Sequence, residues 1–380
     1  MRVDHLFAQW DKPDSPGCSV GISREGQLLY EHGYGAANVE LEAPITPATV
    51  FHAASVAKMF TAMSVMLLAE RGKLSLDEPA AKHLPELGTV KIFTGFDAAG
   101  KPMLKPVTKP VTLRNLMTHT SGFCYDIWDK TMFEYTSKMG GAAQGTVAPL
   151  TPLMFEPGFR WQYGTGLDWT GRLVEVASGM SLEDYFQQNL LGPLGMQDTS
   201  FILKPEKFER LVAGCTRQPD GSLKEIPRAM PLPPKAYNGG GGLNSTAADY
   251  VRFMQMILRR GAGPGKERIL KEKSVEMMSS NQTGDIPAGK MKSFRPNVSS
   301  DVDFHPGETD RYTFGFLMNP KAYPGARSAG SLAWAGIDNT YYWIDPKRGI
   351  CGVIMMQFLP FADKEAVSLL GEFERAVYAA

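Results

Sequence analysis

Phe51-His-Ala-Ala-Ser-Val-Ala-Lys-Met-Phe60 is the stretch on which the reading of this chain turns. Ser55 and Lys58 stand three apart, a spacing that places both side chains on one face of a helix, a turn apart. From Met59 to Ala69 only Thr61 and Ser64 interrupt an apolar run, so the helix is expected to be buried on most sides. Glu70-Arg71-Gly72 closes it, with a cation in the last turn and glycine at the C′ position. A serine and a lysine at the polar mouth of a buried helix form a candidate nucleophile and base. The alternative is a helix-capping serine with a surface lysine, and one S-x-x-K is roughly what chance supplies at this length. A surface lysine is out of place, however, where so apolar a helix begins.

Outward from that helix, strands occupy both ends of the chain and helices the middle. Met1 to Trp10 reads as a short amphipathic helix. Gly17–Ser23 and Gln27–His32 read as a hairpin turning at Arg24-Glu25-Gly26. After the opening helix, predicted over 55–71, come a hairpin within 91–111 and a Thr112-capped helix. Further helices follow over 167–177 and from Ser181 to Leu191. Pro231-Leu-Pro-Pro234 and Gly239-Gly-Gly-Gly242 mark a boundary, Thr246 caps the next helix, and 280–311 is a long polar loop. Strands return over 312–318, 327–334, 339–345 and 349–358, before a terminal helix over 363–379. The expected fold is α+β. One antiparallel sheet, flanked by the terminal helices, is built from 1–74 and 236–380, with an inserted, mainly helical domain over 75–235. The active site is expected between the two domains.

The 380 residues suffice for one large or two ordinary domains, and 43% hydrophobic content suffices for a core. Net charge is zero and no dense Lys/Arg run is present, which argues against a nucleic-acid partner. Cys18, Cys124, Cys215 and Cys351 are scattered, as expected of reduced thiols. The six histidines show no paired ligand spacing, so neither a metal nor a cofactor is expected. Without a signal-like apolar region or a membrane-length run, the expectation is a cytoplasmic protein with no membrane partner. Nothing in the sequence indicates an oligomeric state.

The one G-x-S-x-G, Gly17-Cys-Ser-Val-Gly21, falls inside a predicted hairpin strand and not at a strand-to-helix turn, which argues against an α/β-hydrolase elbow. Ser55 therefore needs a base that is neutral near pH 7. Free lysine and tyrosine are both protonated there, and moving either by three pK units requires about 4 kcal/mol from the site. A Lys–Tyr pair sharing one proton would titrate as a unit. Trp161-Gln-Tyr163-Gly-Thr-Gly166, a loop leading into a helix, offers such a tyrosine; its alternative is a tyrosine packed in the core. An oxyanion hole needs two N–H donors. Ser55 supplies one, and Ile337, after Trp334-Ala335-Gly336 at a strand end, is the candidate for the other.

These elements, with Leu116-Met-Thr-His-Thr-Ser-Gly122, Glu156-Pro-Gly158 and Gly239-Gly-Gly-Gly-Leu-Asn-Ser-Thr246, resemble the serine β-lactamase and penicillin-binding-protein superfamily. The match looks nearest to family VIII carboxylesterases, which resemble class C β-lactamases. The resemblance implies Ser55 as nucleophile, Lys58 and Tyr163 as general acid/base pair, and Trp334-Ala335-Gly336 as the strand lining the site. Two departures stand out. Thr165 follows Tyr163-Gly164 where the β-lactamase pattern has Asn, and Trp334 stands where the superfamily usually has Lys. The missing amide and cation weaken contacts to an acylamino side chain and a β-lactam carboxylate, and the indole offers apolar surface instead. The expected activity is therefore hydrolysis of carboxylic esters with short to medium acyl chains through an acyl-enzyme on Ser55. A β-lactamase or D-amino-acid peptidase, an acyltransferase using the same acyl-enzyme, and a silent ligand-binding protein are the alternatives. Phe123, Tyr125, Trp128, Trp161 and the 280–311 loop are expected to wall the acyl pocket. His119 reads as structural. Asp168 either orients the Lys–Tyr pair or favours the dipole of its own helix, and the second is preferred.

Overall fold

The computed structural model describes residues 3–13, 15–141 and 147–379. Seven strands form one sheet in the order Arg311–Tyr312, Leu317–Met318, Leu332–Gly336, Thr340–Asp345, Ile350–Met355, Cys18–Arg24 and Gln27–Tyr34. Every neighbouring pair is antiparallel. The hairpin at the start of the chain thus continues a sheet made by its end, with Ser19 opposite Met355. Glu25 and Gly26 turn that hairpin with positive φ at both positions (51° and 77°), the requirement of a tight turn whose twist matches the strands.

Successive side chains of a strand point to opposite faces, and Tyr342 and Trp343 show where each face goes. Tyr342 meets Tyr250 of helix Ala247–Leu258 at 4.9 Å between ring centroids. Trp343 meets Phe373 of the terminal helix Lys364–Ala379 at 5.5 Å, and Phe7 packs on the same phenylalanine at 5.5 Å. The first helix is confined to Asp4–Phe7; Met1 and Arg2, which the expected 1–10 helix included, lie outside the described residues. Among the described residues no helix is long and apolar enough to cross a membrane.

The opening helix is divided. Ala54–Ala57 form a 3₁₀ turn and Lys58–Glu70 the α-helix, so Ser55 lies in the tighter turn. Against this helix packs Gly166–Ser178, ended by Gly179 in the left-handed conformation. Thr61 Oγ1 donates to Gly239 O at 2.6 Å, tying the glycine run to the nucleophile helix.

Some expected elements are corrected. The strand expected over 312–318 is two short strands around Gly315, whose φ is +98°. The strand expected from 327 starts at Leu332, because the buried Arg327 leaves the ladder to pair with Glu374 of the terminal helix at 2.8 and 2.5 Å. The helix expected through Leu191 is α-helical only over Leu182–Phe186 and continues as a π turn. Two helices, Lys130–Met139 and Glu272–Ser279, carry no expectation from the sequence. Cys215–Arg217, within the stretch assigned to the helical domain, pairs in parallel with Phe358–Leu359. A hydrogen-bonded seam therefore ties that segment to the sheet half.

Candidate active site

Ser55 is half-buried, and the residue before it is strained. Ala54 has φ +48°, a region that L-residues enter at a cost and that clusters at functional sites. One turn on, Lys58 is completely buried. Its Nζ donates to Gly240 O at 2.6 Å, to Ser55 Oγ at 3.1 Å and to the Tyr125 hydroxyl at 3.4 Å. The spacing read from sequence thus places a lysine nitrogen on the serine oxygen. A buried cation needs such partners, because desolvating it alone is costly.

Tyr163 meets the lysine differently from expectation. Lys58 Nζ lies 4.9 Å from the centroid of the Tyr163 ring, and the hydrogen-bonded phenol is that of Tyr125. The Tyr163 hydroxyl accepts from Trp334 Nε1 at 3.4 Å. Its ring is fixed among His119, Trp128, Tyr125 and Trp334, with centroids 4.7 to 5.3 Å away. The proton-sharing Lys58–Tyr163 contact is therefore replaced, in this state of the molecule, by a cation over an aromatic face.

Tyr125 extends the chain of contacts. Its hydroxyl donates to Asp168 Oδ2 at 3.1 Å, so Ser55, Lys58, Tyr125 and Asp168 form a continuous row. Burial raises the Asp168 carboxyl above its ordinary value despite the nearby Lys58 charge. Burial and the Asp168 charge push the Tyr125 phenol well up, which keeps it a hydrogen-bond donor. A Cβ at Gly240 would stand 2.5 Å from Asp168 Oδ2, so only glycine lets that backbone carbonyl reach Lys58 beside the carboxylate. Asp168 also lies in the first turn of helix Gly166–Ser178, so the dipole role and the contact with Tyr125 coexist.

The strand of Trp334, Ala335 and Gly336 runs past the nucleophile. A Cβ at Gly336 would come within 2.9 Å of Ala53 O, which shows how closely the two backbones approach. Ile337 lines both cavities that touch Ser55, and its N–H makes no hydrogen bond among the described residues. A free backbone donor lining the serine's cavities is what a second oxyanion donor must be.

A family comparison fits this constellation. The sequence model of the β-lactamase family matches residues 3–371. The chain belongs to the β-lactamase family. It is 30% identical over 387 residues to the monacolin J acid methylbutanoyltransferase of Aspergillus terreus, covering 93% of this chain and 89% of that protein. The lovastatin esterase of Penicillium rubens is 29% identical over 346 residues, covering 87% and 85%. Among solved structures, a variant of simvastatin synthase from Aspergillus terreus superposes with TM-score 0.85 at 28% identity, over 99% of this chain and 97% of that one. The protein is thus an enzyme of the β-lactamase-like serine hydrolase and acyltransferase type, with the mixed fold of that family.

Two expected wall residues are corrected. Phe123 is buried and stacks on Trp169 at 5.9 Å, and Trp161 packs on Tyr312 at 5.7 Å; neither lines a cavity at Ser55. Their aromatic surface belongs to the β-lactamase-type core behind Tyr163. Trp128 and Tyr125 do face the serine, as do Met291 and Phe304 of the 280–311 loop. His119 sits at φ +56°, buried against the Tyr163 ring, with neither ring nitrogen hydrogen-bonded. Burial, then the Lys58 charge, holds its imidazole well below the ordinary range, so it is neutral. Ile127, Phe361, Asn238 and His52 complete the cavity walls without any signal in sequence spacing.

Proposed function

We propose that the protein is a serine acyltransferase that takes an acyl group from an ester-type donor onto Ser55 and passes it to an alcohol acceptor. Hydrolysis is the outcome when water takes the acceptor's place. The observation that carries this reading is the Lys58 Nζ to Ser55 Oγ contact of 3.1 Å inside an aromatic cleft. Trp128, Tyr163, Trp334, Phe304 and Phe361 close off one side of the serine, and an alcohol seated in the open cavity on the other side displaces water from an ester formed there. Water exclusion favours a bound alcohol over bulk solvent as acceptor. The transferase named among the relatives supports the same reading; the esterase among them supports hydrolysis as its second outcome.

Lys58 acts once it has given one proton to solvent: Ser55 Oγ attacks the donor carbonyl while its own proton passes to the neutral Lys58 Nζ. The oxyanion forms between the N–H groups of Ser55 and Ile337. The leaving alkoxide takes a proton from Tyr163, and Lys58 returns its extra proton to that phenolate. An acceptor alcohol then repeats the sequence in reverse. Tyr125 and Asp168 hold Lys58 on the serine. The threonine at 165 and the indole at 334 replace the amide and the cation that the β-lactamase pattern offers a β-lactam at those two positions, so neutral esters are the substrate class.

The test is a p-nitrophenyl butyrate assay with and without added 1-butanol. Butyl butyrate should form at the expense of butyrate, and Ser55→Ala should abolish p-nitrophenol release. Turnover surviving in Ser55→Ala would refute the acyl-enzyme. Exclusive formation of butyrate at saturating butanol would leave an esterase.

A further inference from the structure

Two cavities reach Ser55, and they differ. One of about 370 Å³ opens to solvent between Tyr125, Ile127, Asn238 and the glycine run. The other, about 10 Å³, is enclosed by Trp128, Met291, Phe304, Trp334 and Phe361 and has room for about one water. An acyl-transfer centre must hold two groups on either side of the carbonyl. The alcohol side departs and is replaced, so it needs the open branch. The acyl side stays on Ser55 throughout, and it falls to the closed branch, which as it stands admits little beyond the carbonyl's first carbon.

Behind the closed branch lies a third cavity of about 190 Å³. It runs between the sheet face bearing Ala333 and Tyr341 and the terminal-helix residues Val367, Leu370 and Gly371. Trp334 and Phe304 touch both spaces. The Trp334 indole turns to the Tyr163 face of the sheet, opposite the terminal helix, and is hydrogen-bonded there, so the side chain that separates the two spaces is that of Phe304. Phe304 is half-buried on a loop, with rings of Tyr341 and Phe361 near it at 5.8 and 6.2 Å. Phe304 is therefore the movable partition.

The chamber's chemistry suits a hydrocarbon. Most of its charged groups are committed to one another, Arg327 to Glu374 at 2.8 and 2.5 Å and His305 to Asp310 at 2.6 Å, while the exposed Arg375 stands at its helix side with no ion pair among the described residues. The Tyr323 hydroxyl is spent on Asp310 at 2.9 Å. What remains toward the cavity is mainly aliphatic and aromatic surface, which a methylene chain covers favourably.

We propose that this chamber is the acyl-chain subsite of the Ser55 centre, gated by Phe304, and that it takes a straight aliphatic acyl chain of medium length. The proposal rests on the acyl-enzyme reading above. With Phe304 in place the site accepts short acyl groups; with its ring turned aside a chain passes along the edge of the Leu332–Gly336 strand toward the terminal helix.

The test compares kcat/KM for p-nitrophenyl acetate and p-nitrophenyl decanoate in three proteins. Phe304→Ala should raise the decanoate-to-acetate ratio at least tenfold over the unaltered enzyme. Adding Gly371→Leu, which fills the chamber from a helix that tolerates the residue, should return the ratio to within about threefold of the starting value. Thermal melting of each variant confirms that folded protein is compared. A ratio unmoved by Phe304→Ala, or a gain that survives Gly371→Leu, overturns the subsite. Ser55→Ala, run alongside, separates the cases. If it loses turnover while the ratio stays flat, the subsite alone is wrong; if it keeps turnover, the acyl-enzyme reading is wrong and the subsite falls with it.

Discussion

Two tyrosines meet Lys58 with different parts of their side chains. Tyr125 offers its hydroxyl, at 3.4 Å, and Tyr163 offers its ring face, 4.9 Å from Nζ to the centroid. That difference divides their roles and can be measured. Tyr163→Phe removes the only phenol assigned to the leaving group and should lower kcat by about 10²- to 10⁴-fold, as loss of a general acid does. Tyr125→Phe removes one hydrogen bond from a lysine that keeps two others, so about a tenfold loss in kcat is expected, with KM unchanged. It should also shift the pH profile of kcat/KM, because Asp168 then faces Lys58 without an intervening donor. Phe123→Leu, a change in the aromatic core, should lower the melting temperature and leave the pH profile in place. Equal losses for both tyrosine variants would remove the distinction. At this scale the sequence is legible where the contact is local: Ser55 and Lys58 meet because they are three apart on one helix. It is silent where the contact spans the chain, as between Lys58 and Tyr125. Aromatic loop residues mislead for a third reason. Phe123 and Trp161 carry the same surface whether they face substrate or core, and only packing decides.

At the scale of elements, the strand from Leu332 to Gly336 is held against the 3₁₀ turn carrying Ser55 by the absence of a side chain at 336. Gly336→Val would put a Cβ 2.9 Å from Ala53 O and force the strand outward, carrying Ile337 N–H with it. Losing alignment of one oxyanion donor costs about 10²- to 10³-fold in kcat. The expected result is that loss with a melting temperature lowered by only a few degrees, since a β-branched residue suits a strand. Stopped-rate assays and calorimetry on one preparation check both halves, and full activity would remove Ile337 from the hole. Elements whose ends carry turn or cap chemistry are the ones the sequence specifies well. Thr112, Ser181 and Thr246 each accept a backbone N–H at a helix start. The boundaries missed have tertiary causes: the ladder around 327 is abandoned because Glu374 on another element captures Arg327. No local pattern encodes that exchange.

For the whole molecule, the Arg327–Glu374 pair fastens the terminal helix to the sheet. Burial alone would raise the Glu374 carboxyl, but the Arg327 charge and hydrogen bonds outweigh it and hold it below its ordinary value of 4.5. A depressed carboxyl contributes stability that is complete above the unfolded value and is lost as pH falls through the folded one. Glu374→Gln should therefore cost about 3–5 kcal/mol at pH 7, since it leaves Arg327 buried without its counter-charge. The difference from the unaltered protein should shrink as pH is lowered below about 4.5, and melting temperatures across pH 3–7 check it. A difference independent of pH would mean that the pair contributes no charge-linked stability. The overall architecture was legible because strands at both ends and helices between leave few topologies that bury both. The same architecture has a consequence in time. Cys18–Arg24 leaves the ribosome roughly 330 residues before its partner Ile350–Met355 is made. At roughly 5–20 residues per second the hairpin waits on the order of tens of seconds with one edge unpaired and its apolar residues uncovered. During synthesis, then, the Cys18–Tyr34 hairpin is exposed to aggregation until its partner arrives, and chaperone demand should fall sharply in a circular permutant that translates Ile350–Ala379 immediately before Val3.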